Sequence, residues 1–256
     1  TSSGTYGFSV EASLLSDLKK RDFRSVKVFP MKEEDADLYF RFPVTLSTRY
    51  LARGYEGKYA GGYQFEAKGE GFLDVDKQHK LEFLARGPNN YNLSFLGLYD
   101  EYYISYTGKH FESFVGSKSF KMTPLTEMAR YGYGTENTYI TRNGSRIGFM
   151  LLEPRFFKDI KNEAAAYADI KVFRENRAGI NFLRKETALT DASSYIGSLT
   201  ATLKPLKNSS AELEYSLGVL NSIDDRAFRI FLNTSRKFYS FSANYYNAGK
   251  NYPGYF

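Results

Sequence analysis

Few residues in this chain are of types that carry out bond chemistry. There are two histidines, His79 and His110, and no cysteine. Neither histidine sits in a metal-binding spacing such as HExxH, and no GxSxG elbow, phosphate-binding loop or dinucleotide fingerprint occurs. The stretch "DVDKQH" sets Asp74 and Asp76 apart as at the start of a calcium loop, but the later glycine and terminal glutamate are missing. It reads as a turn. The acidic cluster Glu33, Glu34, Asp35 and Asp37 has the charge for a divalent cation, yet a run of like charge reads first as a solvated loop. These residues lead to the expectation of no catalytic site, no metal, no cofactor and no enzyme.

A second set of polar residues is defined by spacing. Arg41, Arg49, Lys58, Glu66, Lys68, Glu82, Arg86, Asp169, Lys171, Lys204, Glu212 and Glu214 all alternate with apolar neighbours. A strand sends successive side chains to opposite faces, so these residues belong to one wet face of a sheet whose other face is apolar. In a barrel they line the lumen with both signs of charge. In a soluble sandwich they face solvent.

The elements that would carry them are strands. In "DLYFRFPVTLSTRY" the even positions Leu38 to Tyr50 are mostly apolar, which predicts one strand with Phe40, Phe42, Val44 and Leu46 outward and Arg41, Thr45 and Ser47 inward. "YGFSVEASLL", "GKYAGGYQFEAK", "KLEFLARG", "YNLSFLGLY" and "EYYISYTG" follow the same rule. Further strands are expected near residues 163–174, 179–184, 195–203, 211–220, 227–233 and 238–246. The whole chain holds roughly 14 to 17 such segments, spaced like long antiparallel hairpins. No stretch approaches the roughly 18 apolar residues that a membrane helix needs.

Two regions break the rhythm. One is "RDFRSVKVFPMKEEDADL", expected to be strand ends around an exposed loop. The other is the aperiodic excursion at 116–139, punctuated by Pro124 and expected to fold into or over a pore, with Arg130, Tyr131 and Tyr133 as constriction candidates. The pair Asn143–Gly144 signals a tight turn. The chain is rich in Tyr and Phe, 22 of each, and tyrosine suits an oil–water boundary. The net charge of +6 is scattered among strands, so no nucleic-acid partner is expected.

With the aromatic load and the alternation, the phrases "GSKSFKMTPLTEMARYGYG" and "YYNAGKNYPGYF" resemble the large outer-membrane β-barrels of Gram-negative bacteria, in the style of porins, ushers and secretion pores. The resemblance implies a single domain over 1–256, an all-β antiparallel up-and-down transmembrane barrel in the bacterial outer membrane, with membrane lipids as its surroundings. It implies a channel or translocation pore for solutes or macromolecules. Pro253 and Gly254 interrupt the place of a closing strand, so either the strand ending near Tyr246 closes the barrel and the last ten residues are a tail, or the chain is part of a larger barrel completed by further strands or partner subunits. The alternatives are a soluble or surface-attached β-sandwich that binds glycans through its aromatics, and a barrel-borne enzyme acting on lipid or polysaccharide.

Overall fold

A computed structural model describes residues 4–13, 19–28, 38–55, 57–88, 99–156, 159–188 and 192–254. The chain forms two compact units, Thr1–Arg41 and Phe42–Phe256. The first contains β1 (Gly4–Ser13) and β2 (Lys19–Val28), an antiparallel hairpin in which Gly4 faces Val28, and a four-residue helix α1 (Leu38–Arg41). The acidic cluster at Glu33 to Asp37 and most of the segment "YNLSFLGLY" lie outside the described residues.

The second unit is one antiparallel sheet. Its strands are β3 (Val44–Tyr55), β4 (Lys58–Phe72), β5 (Lys80–Gly87), β6 (Glu101–Thr107), β7 (Phe111–Phe120), β8 (Arg130–Ile140) and β9 (Arg146–Pro154). It continues through β10 (Ile160–Phe173), β11 (Asn176–Thr187), β12 (Ser193–Leu206), β13 (Ser209–Leu220), β14 (Ile223–Arg236) and β15 (Tyr239–Ala248). Every strand pairs with its neighbours in sequence, giving a 13-stranded up-and-down order from β3 to β15. This is the all-β antiparallel fold that the alternation predicted. In a meander of odd strand number the first and last strands run the same way, and among the described residues no ladder joins β3 to β15.

Three local readings are corrected. The strand expected over 38–50 begins only at Val44, after α1. Pro43 has no N–H to give to a ladder, and it ends the helix before it, so Phe40 and Arg41 do not alternate with the strand. The excursion expected over 116–139 shrinks to residues 121–129, because β7 runs to Phe120 and β8 starts at Arg130. Glycines had hidden the strand period there. Gly116 takes a φ of +126°, and a Cβ on Gly132 would lie 2.2 Å from the Glu153 carbonyl oxygen, so close strand approach excludes a side chain where the pattern needs one. Third, the stretch after β15, read as a loop, turns back onto the sheet over residues 249–252. Gly249 N–H donates to the Arg226 carbonyl, Asn251 N–H donates to Asp225, and Tyr252 is buried.

The two faces of the sheet are inverted relative to a water-soluble protein. Along β11 to β13, Ile180 is 58 % exposed, Phe182 50 %, Leu199 58 % and Leu217 54 %. The residues between them, Asn181, Lys185, Ser194, Ser198, Glu214 and Ser216, are buried. Register explains why the assignment is uniform: Asn181 faces Ser198, Ser198 faces Ser216, and the outward Ile180 faces Leu199, which faces Tyr215. Antiparallel pairing without slippage keeps one parity on one face across the sheet.

Candidate functional site

The polar face is layered by register. One row holds Arg146, Asp169, Gly179, Thr200, Glu214 and Arg229, each opposite the next on adjacent strands. The next row has Gly148, Tyr167, Asn181, Ser198 and Ser216, and the one beyond is apolar, with Met150, Ala165, Leu183 and Ile196. Beyond it Glu163 faces Lys185.

The apolar row is covered by the chain itself. Residues 121–129 close a compact turn in which Met122 N–H donates to the Glu127 carbonyl at 2.8 Å and Thr123 N–H to the Thr126 hydroxyl at 3.2 Å. This turn delivers Leu125, fully buried, to the cluster of Met150, Leu183 and Ile196. Three polar anchors hold it on the face. Glu214 accepts from the Thr123 hydroxyl and from Leu125 N–H. Lys185 Nζ donates to the Thr126 carbonyl at 3.2 Å. Glu127 binds Lys185 at 3.1 Å and Arg130 at 2.9 Å, while Arg130 also meets Glu163 at 2.9 Å. From the other side Tyr252 donates to the Leu125 carbonyl at 3.0 Å and contacts the Ser216 hydroxyl at 2.6 Å, its phenol pushed up to about 12 by burial.

Between this cover and strands β8 to β14 lies a cavity of about 480 Å³. Lys121, Arg146, Arg177 and Arg229 line it against Glu136, Asp169, Glu212 and Glu214, with Tyr167, Asn181, Thr200 and Thr202 between them. Arg177 Nε meets Asp169 at 2.6 Å and Arg229 meets Glu212 at 2.9 Å. Tyr167 donates to Glu136 at 3.0 Å, and Glu136 also pairs with Lys118.

Of the twelve lining candidates, Glu66, Lys68, Glu82, Arg86, Asp169, Glu212 and Glu214 lie on this polar parity. Arg86 bridges Glu66 at 2.7 Å and Glu101 at 3.1 Å, and Tyr103 donates to Glu82 at 2.6 Å. Arg49 pairs in register with Gln64 on the same parity, and Lys171 pairs with Arg177. Lys204 sits at the exposed end of β12, where the register shifts. Arg41 is in α1, and the side chain of Lys58 lies outside those described. Arg130 reaches the covered face, where it meets Glu127 and Glu163. Tyr131 and Tyr133 are corrected: they are strand residues of opposite parity, where Tyr131 stacks on Phe156 at 5.6 Å and Tyr133 donates to Asp100 at 2.9 Å. The alternation missed Glu127, Glu163 and Lys185, because they meet only where the 121–129 turn and the start of β8 dock on the sheet, which no local pattern encodes.

His79 and His110 stand at strand ends, bonded to the Tyr106 hydroxyl at 2.5 Å and the Ile140 carbonyl at 3.0 Å. Asp74 accepts from Gln78 and His79 N–H groups, so "DVDKQH" is the expected turn. Gly144, with a φ of +84°, confirms the other turn.

Asp100, in the loop before β6, offers a pH test. Burial pushes its carboxyl up, but the Arg155 guanidinium and the Tyr133 hydroxyl outweigh that and hold it below its ordinary value. A carboxylate lowered by folding adds stability above its unfolded pKa, near 3.9, and loses it as the pH falls through the lower folded value. Wild type should therefore melt above Asp100→Asn at neutral pH. The two melting temperatures should converge as the pH falls from the unfolded value through the lower folded one.

No family model matches the sequence, and no curated protein matches it at a significant level. Among solved structures the chain is similar to OmpT, an outer membrane protein of Vibrio cholerae in its trimer form, at 8 % identity and a TM-score of 0.34. The match covers 81 % of this chain and 87 % of that one. A likeness at this level carries no argument about function. The expectation that the chain is not an enzyme is corrected as a conclusion drawn from an absence. That expectation rested on missing motifs, and the buried carboxylates Glu127 and Glu163, packed with Arg130 and Lys185, are titratable groups that a motif search does not detect.

Proposed function

We propose that this chain forms the wall of a bacterial outer-membrane β-barrel channel, with lipid on the Leu199 face and solute on the Thr200 face. The inverted burial carries the reading. Water favours exposing Asn, Ser, Lys and Glu and burying Ile, Phe and Leu, so a sheet that does the reverse is built for an apolar surrounding. Strand length supports it, because β10 to β14 have 12 to 14 residues, above the roughly 9 to 11 that cross a bilayer. The glycan-binding sandwich is less favoured. It needs a second sheet over the apolar face, and the described strands of this unit all belong to one sheet.

On this reading the turn at 121–129 constricts the conduit. The protein should form discrete conductance steps in planar bilayers and resist extraction from membranes by alkaline carbonate. A freely soluble monomer without channel activity would overturn the reading. Deleting Pro124–Met128 should raise single-channel conductance. Phe120 and Arg130 already face each other in register, so the four residues left still close a hairpin. Unchanged conductance in that variant would show that the turn does not constrict the path.

A further inference from the structure

The charge pattern of the cavity bears on what passes through it. Its basic and acidic residues are matched four to four. For six of the eight the matching is also local. Arg177 is held by Asp169 and Arg229 by Glu212, while Arg146 pairs with Glu112 and Glu136 with Lys118 on β7. The acid Glu214 is engaged by Thr123 and Leu125 of the cover.

Paired charges cancel one another's field within a few ångströms, so a solute in the cavity meets little net potential of either sign. An ion approaching these pairs would give up hydration for a charge that is already compensated. Hydrogen-bonding capacity nevertheless stays high. Each paired carboxylate has further lone-pair sites and each guanidinium further N–H donors, and Tyr167, Asn181 and Thr200 add neutral groups of both kinds. Such a lining exchanges hydrogen bonds with water for hydrogen bonds with hydroxyls.

Resting on the channel reading above, we infer that the conduit serves uncharged, hydroxyl-rich solutes of sugar size and discriminates little between cations and anions, with the Arg177–Asp169 and Arg229–Glu212 pairs setting that neutrality.

The test uses the full chain refolded into planar bilayers and liposomes. Reversal potentials in a potassium chloride gradient give the cation-to-anion permeability ratio, expected near unity. Liposome swelling compares glucose with gluconate and glucosamine, which share its size and differ in charge; glucose should enter fastest and the two ions at similar rates. Asp169→Asn frees Arg177 and should tip the ratio toward anions. Arg229→Gln frees Glu212 and should tip it toward cations. A wild-type channel that strongly prefers one sign of ion, or admits one charged sugar faster than glucose, overturns this inference and leaves the channel reading intact. Folded protein that conducts nothing overturns both. The wild-type ratio decides the matter even where a variant fails to fold.

Discussion

Leu199→Lys should destabilise the protein in a lipid bilayer by about 2 to 4 kcal/mol, whereas Thr200→Lys should cost little. The two residues are adjacent in β12 and point to opposite faces. Leu199 is 58 % exposed and sits between Ile180 and Tyr215 in the middle of the apolar band. Thr200 lines the charged cavity, where a lysine finds water and the carboxylate of Glu214 opposite it. In water the order would be different. A leucine already more than half exposed loses little on replacement by lysine, within about 0.5 kcal/mol for a surface site. Urea titration of the protein folded into vesicles measures the difference. Equal losses for the two variants would mean that the apolar face does not meet lipid.

Arg130→Met should cost about 3 to 5 kcal/mol, the range for removing one partner of a buried ion pair. Arg130 contacts both Glu127 and Glu163, and all three side chains are nearly fully buried. Without it Lys185 alone faces two carboxylates. The loss is a penalty for stranded charge rather than the worth of a contact, so neutralising a carboxylate should recover part of it. Arg130→Met combined with Glu163→Gln should be more stable than Arg130→Met alone, and a double-mutant cycle on the same urea titrations reads the coupling. If the single variant is as stable as wild type, the cluster is not buried as described. The same variant should loosen the 121–129 turn, since Glu127 is its charged anchor to the sheet.

Much of this architecture was legible in the residues. Period-two alternation is a property of single strands, and the order of strands in a meander is the order in sequence, so "SSYIGSLTATL" and "SSAELEYSLGVL" each announce a strand and its two faces without reference to the rest of the chain. Turn chemistry at Asn143–Gly144 and Asp74 is equally local, because the groups that close those turns lie within a few residues of each other. What alternation leaves open is which face looks outward. Ile180 and Asn181 alternate identically in a sandwich and in a barrel, and only the folded sheet, with Asn181 buried and Ile180 exposed, separates the two.

The site depended on the tertiary structure still more. Glu127 and Glu163 are 36 positions apart in the numbering, and Thr123 meets Glu214 across a separation of 91 residues. No local rule states that a turn around Pro124 will lie on β10 to β13, or that Tyr252 will close over Leu125 from the far end of the chain. The strands could be read because their hydrogen bonds and faces repeat residue by residue. The cover, the ion cluster and the matched charges of the cavity arise only when β7–β8 and the segment after β15 meet a face that register has already assembled, and there the deciding energies are long-range burial and charge pairing.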